Sequence, residues 1–210
     1  MKKKIKIGNR YVGEGERTFL VAEVSANHLQ DYGRAEAIIR AAKEAGADAV
    51  KLQTYTPDTI TLDCDNDYFQ ITQGTIWDGT TLHKLYEEAY TPWEWQPKLM
   101  ELANGLGMEC FSSPFDATAV DFMREMDMPA YKVASFEIND IPLIRRIARI
   151  GKPIIFATGI AYLEDIERAL AVCKKEGNEQ VILLKCTSTY PSPYEDMNLK
   201  VIPHMAETFD

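Results

Sequence analysis

The sequence predicts a parallel α/β fold of the TIM-type (β/α)8 class, represented here by about six βα units behind an N-terminal β-hairpin. Three observations lead there. Short apolar runs without alternation, such as Pro153-Ile154-Ile155-Phe156, have the composition of parallel strands covered on both sides. Stretches of helical period separate those runs at βαβ spacing. Six of the runs end in polar clusters that differ from one another, and a (β/α) barrel carries its chemistry at the C-terminal ends of its strands. The clusters are Ala22-Glu23-Val24-Ser25-Ala26-Asn27-His28, Val50-Lys51-Leu52-Gln53-Thr54, Phe111-Ser112-Ser113-Pro114-Phe115, Tyr131-Lys132-Val133-Ala134-Ser135-Phe136-Glu137, Phe156-Ala157-Thr158-Gly159 and Leu184-Lys185-Cys186-Thr187-Ser188-Thr189-Tyr190.

Residues 4–19 alternate around Gly8-Asn9 and Gly13-Glu14-Gly15, which predicts the hairpin. Residues 1–18 are therefore assigned to it and 19–210 to a partial (β/α) barrel. A strand is expected near 19–24, a helix near 31–45 and a strand near 48–53. An irregular stretch from Thr54 to Thr80 follows, long enough to imply a job above the active face. Its Trp77-Asp78-Gly79 offers either an aromatic wall for a sugar or an anchor to the barrel rim. Helices are expected near 81–89, 93–106, 117–127, 140–149 and 162–176, with strands near 108–112, 130–134, 153–157 and 181–186. Thr91-Pro92-Trp93-Glu94 has the residues of a capping box with Thr91 at the N-cap. Gly46 and Gly151 stand just after helices, where a left-handed residue is wanted.

Composition narrows the function. With 210 residues, 46% of them hydrophobic and 10% aromatic, the chain reads as one ordinary globular domain. A net charge of −9 with interspersed signs excludes the basic face that a nucleic-acid or anionic-membrane binder needs, so any anionic ligand must be met by local lysines. Met1-Lys2-Lys3-Lys4 is not followed by the apolar core of a signal peptide, and no apolar run approaches the ~20 residues of a membrane span. A cytoplasmic protein is expected. Cys64, Cys110, Cys173 and Cys186 show no C-x-x-C pairing and read as free thiols, while His28, His83 and His204 lack metal-ligand spacing.

Period-two geometry puts Lys51 and Gln53 on one side of their strand and Val50 and Leu52 on the other. If the aliphatic side packs on helices, Lys51 points into the barrel mouth, where burial is costly unless an anion meets it. Lys132 repeats the pattern. Ser113 and Ser135 add hydroxyls, and converging charge-assisted donors suit a small molecule with separate anionic groups. Glu23, between Ala22 and Val24, reads as a buried carboxylate that is either the ion-pair partner of Lys51 or an acid-base group. Glu137 on the rim is placed to bond a polyol. Lys185, at the end of the sixth strand, leaves open a Schiff-base aldolase.

At these residues the chain resembles the sialic acid synthase family, phosphoenolpyruvate-condensing enzymes that make nonulosonic acids. The matching segments include Ala22-Glu23-Val24-Ser25-Ala26-Asn27-His28, Lys51-Leu52-Gln53-Thr54, Pro129-Ala130-Tyr131-Lys132-Val133-Ala134-Ser135-Phe136-Glu137, Thr158-Gly159 and Cys186-Thr187-Ser188-Thr189-Tyr190-Pro191. Tyr55-Thr56-Pro57-Asp58-Thr59-Ile60-Thr61, Gly74-Thr75-Ile76-Trp77-Asp78-Gly79 and Ala89-Tyr90-Thr91-Pro92-Trp93-Glu94-Trp95 look like the pseudaminic acid branch.

The resemblance implies condensation of phosphoenolpyruvate with an acetamido sugar, 2,4-diacetamido-2,4,6-trideoxy-altrose in this branch, giving pseudaminic acid and phosphate. The N-acetylneuraminate and legionaminate branches are the alternatives. Lys51 would meet the carboxylate of phosphoenolpyruvate, Lys132, Ser113 and Ser135 its phosphate, and Glu23 the water or proton. Gln53, Glu137 and Tyr190 would contact the sugar. Two departures touch the phosphate pocket: Ala157 stands where serine is usual, and Ser188 where the sialic branch has asparagine. The resemblance further implies a divalent metal, Mn or Mg, whose histidine ligands lie beyond Asp210, a C-terminal antifreeze-like domain absent here, and a homodimer at full length. On that basis the chain as written is expected to be inert.

Overall fold

The structure, a computed structural model, describes residues 4–72, 74, 77–189 and 192–209. The chain opens with β1 (Ile5–Ile7) and β2 (Arg10–Val12), an antiparallel pair with Ile5 opposite Val12 and Ile7 opposite Arg10. Gly8 takes a positive φ in the turn between them, and Ile5 and Ile7 put their side chains inside. Two compact units follow from the contacts: Met1–Thr18 together with Met128–Asp210, and Phe19–Asp127.

In the Phe19–Asp127 unit the order is β3 (Val21–Glu23), α1 (Tyr32–Glu44), β4 (Ala49–Thr54), α2 (Pro57–Ile60), α3 (Leu82–Ala89), α4 (Gln96–Gly105), β5 (Glu109–Pro114) and α5 (Ala117–Glu125). β4 pairs in parallel with both β3 and β5. Val50 and Leu52 pack into one buried cluster with Ala35 and Ile39 of α1 and Leu99 and Ala103 of α4. Each helix thus presents an i, i+4 apolar stripe to the strand, and the aliphatic side of β4 faces the helices as expected. Asp31 and Asp116 cap α1 and α5 through their side chains.

Two expectations change in this unit. The capping box predicted at Thr91 does not form: a short 3-10 turn, Trp93–Trp95, precedes α4, with Pro92 at its N-cap and no side-chain cap bond at either start. Thr91 is buried instead, its hydroxyl engaged by His28 at 3.1 Å. The stretch from Thr54 to Thr80 also carries order of its own. It contains α2, and a bridge from Gln70 to Thr81, backed by Ile71 N–H donating to Thr80 O at 3.0 Å, closes the segment before α3. Trp77 in that segment is part exposed.

The second unit continues with β6 (Tyr131–Val133), α6 (Ile141–Ala148), β7 (Ile154–Ala157), α7 (Leu163–Lys175), β8 (Val181–Leu184) and α8 (Val201–Thr208). β7 pairs in parallel with β6 and with β8. Leu143, Ile144 and Ile147 of α6 and Ile166, Ala169 and Cys173 of α7 are buried. Arg145 and Arg149 both reach Glu176 just past α7, at 3.3 and 2.9 Å. Gly151, at φ 77°, reverses the chain after α6 where the sequence placed a left-handed residue. Helix α8 had no counterpart in the sequence reading. Every one of the six parallel strands is followed by helix before the next, which is the βα repeat of the TIM-type class.

Candidate active site at the strand ends

The candidate residues fall into two sets, one in each unit. In the Phe19–Asp127 unit, Glu23 stands opposite Lys51 across the β3–β4 ladder, and Lys51 Nζ lies 3.3 Å from Glu23 Oε2. The burial is the reverse of the expectation for Glu23. The Lys51 side chain is only 5% exposed while that of Glu23 is 58% exposed, because Glu23 closes a three-residue strand whose residues are largely open. The group whose desolvation must be compensated is therefore the Lys51 ammonium, and one exposed carboxylate compensates it partly.

Gln53 stands opposite Ser113 in the β4–β5 register. Next to it, Ser112 and Thr54 hydroxyls bond at 2.7 Å, Thr54 Oγ1 donates to Gln96 Oε1 at 2.8 Å, and Gln96 Nε2 donates to Gln53 O at 3.3 Å. This network pins the ends of β4 and β5 to the start of α4. Ser113 points to the other side of β5, and its Oγ is buried with no hydrogen-bond partner. Leaving a buried hydroxyl unsatisfied costs about 1–3 kcal/mol, so Ser113 Oγ is open to a partner that the protein itself does not supply.

His28 belongs to the scaffold. It is fully buried; Gln30 N–H donates to its Nδ1 at 3.1 Å, so the proton sits on Nε2, which donates to Thr91 Oγ1. Burial holds its pKa below the usual histidine value. Trp95 packs edge-on against the ring, with centroids 5.6 Å apart.

In the other unit Lys132 sits opposite Ile155 in the β6–β7 register, and Ser135 and Glu137 follow in the 3-10 turn Ser135–Asn139. Glu137 Oε2 is a second buried atom without a hydrogen-bond partner. Burial raises the Glu137 pKa above the ordinary carboxylate value, while the charge of Lys132 opposes the rise. Ser135 Oγ accepts from Gly159 N–H at 3.3 Å, and the Ser188 hydroxyl reaches the same glycine. Ala157, by contrast, is buried in β7, and the Thr158 hydroxyl next to it is spent on Leu184 O at 2.9 Å. Tyr190 lies outside the described residues.

Lys185 faces elsewhere. Its Nζ donates to Thr187 Oγ1 at 2.7 Å, and it lines a groove with Val181, Leu183, Ile202, Met205 and Phe209. Among the described residues no three His, Cys, Asp or Glu side chains converge as a metal set, so no residue here is assigned to a metal. All four cysteines are free, with Cys110 pushed up to about 12 and Cys173 to about 11 by burial. Among the described residues no helix is long and apolar enough to cross a membrane.

Sequence reading gave Gly159 no role. The available signal was that, of the six polar strand ends, this one alone closes on a residue without a side chain.

Residues 38–210 match the model of the NeuB family. The chain is 47% identical over 206 residues to the pseudaminic acid synthase of Campylobacter jejuni serotype O:2, covering 98% of this chain and 59% of that protein. It is 47% identical over 190 residues to the pseudaminic acid synthase of Helicobacter pylori, covering 90% of this chain and 56% of that one. The crystal structure of N-acetylneuraminic acid synthetase from Leptospira borgpetersenii, in complex with citrate, superposes with a TM-score of 0.84 at 27% identity, covering 99% of this chain and 67% of that one. The chain thus spans less than two thirds of the length of the Campylobacter jejuni and Helicobacter pylori proteins.

Proposed function

Because this chain belongs to the NeuB family, we propose that it supplies the phosphoenolpyruvate-binding and sugar-facing strand ends of a nonulosonic acid synthase, of the pseudaminic acid type. The observation that carries the reading is the pair of buried, partnerless oxygens, Ser113 Oγ and Glu137 Oε2. Ser113 lies on the strand beside that of the buried Lys51, and Glu137 lies within the field of Lys132. Unpaired polar atoms near strand-end cations suit an anionic, oxygen-rich substrate. The identity of 47% to pseudaminic acid synthases supports the choice of branch.

In the proposed reaction the methylene carbon of phosphoenolpyruvate bonds to the aldehyde carbon of 2,4-diacetamido-2,4,6-trideoxy-altrose, and the aldehyde oxygen gains a proton. Water adds to the cationic carbon left behind and gives up its proton. The tetrahedral adduct then expels inorganic phosphate and becomes the keto acid. Lys51 holds the carboxylate, and Lys132, Ser113, Ser135 and Ser188 hold the phosphate through donors that strengthen as charge gathers there. Glu23, half open to solvent, accepts the proton of the incoming water. Gln53, Glu137 and Tyr190 hold the sugar. Burial raises the Glu137 pKa above the ordinary carboxylate value, and its unpaired Oε2 is free to bond a sugar hydroxyl. A divalent metal, Mn or Mg, would polarise the aldehyde; no side chain described here is assigned to it.

Residues 1–210 alone are proposed to bind without turning over. The test compares this chain with a chimera in which it is joined to the remaining C-terminal part of the Campylobacter jejuni relative. Phosphate release is followed with phosphoenolpyruvate, manganese and either the diacetamido sugar or N-acetylmannosamine. The chimera is expected to release phosphate with the diacetamido sugar and the chain alone to release none. Preference for N-acetylmannosamine would overturn the branch, and activity that survives a chelator with borohydride trapping on Lys185 would overturn the mechanism.

A further inference from the structure

We propose that Gly159 is a positioning residue of the phosphate site. Lacking a side chain, it lets the hydroxyls of Ser135 and Ser188 converge over its α-carbon, and its N–H turns the Ser135 hydroxyl toward the ligand. The inference rests on the reading of Ser135 and Ser188 as phosphate-binding groups and adds to it a residue for which no role follows from side-chain chemistry.

A Cβ built on Gly159 would lie 2.2 Å from Ser188 Oγ, 3.0 Å from Ser135 Oγ and 3.3 Å from Cys186 Cβ. Contacts at 2.2 Å between a carbon and an oxygen do not exist without displacement of one of them. Glycines at 46, 107, 151 and 177 are needed for the opposite reason: their φ values lie between 75° and 87°, with no such crowding. Gly159 has no left-handed φ, so its backbone would accept alanine. What excludes alanine is the pair of hydroxyls. Three separate segments meet at this α-carbon: the turn after β6 gives Ser135, the end of β7 gives Gly159, and the stretch after β8 gives Cys186 and Ser188.

A serine hydroxyl has one hydrogen to donate and two lone pairs to accept with. Gly159 N–H occupies an acceptor site of Ser135 Oγ at 3.3 Å. The Ser135 hydrogen is thereby left for another acceptor, and a phosphate dianion presents acceptors alone. Cys186 faces the same cradle while Lys185, the preceding residue, lines the groove beside α8.

The test is a double-mutant cycle in this chain with Gly159→Ala, Ser188→Gly and both together. Binding of phosphoenolpyruvate and of inorganic phosphate is measured by calorimetry, and cooperative unfolding is checked by circular dichroism. Gly159→Ala is expected to weaken both ligands by about tenfold to a hundredfold, as loss of a charge-assisted hydrogen bond does. The double variant is expected to bind as tightly as Ser188→Gly alone, because the atom struck by the new methyl group has been removed. This rescue is read from the double variant even if Gly159→Ala by itself does not fold. Binding by Gly159→Ala equal to that of the parent, or a double variant that binds more weakly than Ser188→Gly alone, would overturn the inference alone. A parent chain that binds neither ligand would overturn the functional reading, and the inference with it.

Discussion

Ser112 and Ser113 are neighbours in the sequence, and strand alternation gives them opposite fates. Ser112 is tied into the Thr54–Gln96 network, and Ser113 is buried with its hydroxyl unmatched. Ser112→Ala should therefore cost about 1–2 kcal/mol of stability, whereas Ser113→Ala should leave the melting temperature unchanged or raise it while weakening phosphoenolpyruvate binding. Thermal unfolding and calorimetry on the two variants check both halves. His28 adds a pH dependence. Its folded pKa lies below the value near 6.5 of the unfolded chain, so its contribution is complete above that value and is lost as the pH falls through the folded pKa. The destabilisation caused by His28→Gln should accordingly be largest near pH 7 and shrink toward pH 5, measured by denaturant unfolding. The side of β4 that carries Lys51 and Gln53 was legible in the sequence because alternation is local. The exposure of Glu23 and the partner of Thr91, 63 residues away in the sequence, were not, because both depend on what the fold packs around them.

Among the elements, strands and helices with strong apolar period agree closely with expectation, as α1, α5 and α7 do. Capping was legible only where the cap residue has no better partner. Asp116 bonds the N–H groups of Thr118 and Ala119, whereas Thr91, with an equally suitable side chain, is taken by a buried histidine. Asp116→Ala should cost about 0.5–2 kcal/mol, and faster amide exchange confined to the first turn of α5 would locate the effect. The four-residue α2 is too short to impose a period on its sequence. Helix α8 was not legible for a different reason: Pro203 and His204 interrupt its apolar residues, so no helical period stands out there.

Across the chain, the βα order and the class of fold follow from composition and period, since parallel strands covered by helices need apolar runs and intervening helices. Lys51 and Lys132 were legible because each interrupts an apolar strand run, where a charge is costly unless an anion meets it. Gly159 was not, since a missing side chain carries no chemical signal until the neighbours that need the space are known. Lys51 and Lys132 are each proposed to bind an anionic group of phosphoenolpyruvate, a reading that membership of the NeuB family supports. The most direct test is calorimetric titration of this chain with phosphoenolpyruvate, alongside Lys51→Met and Lys132→Met variants that still unfold cooperatively. Saturable binding by the parent and its loss in both variants is the predicted result; no binding by the parent, or undiminished binding in both variants, would contradict it.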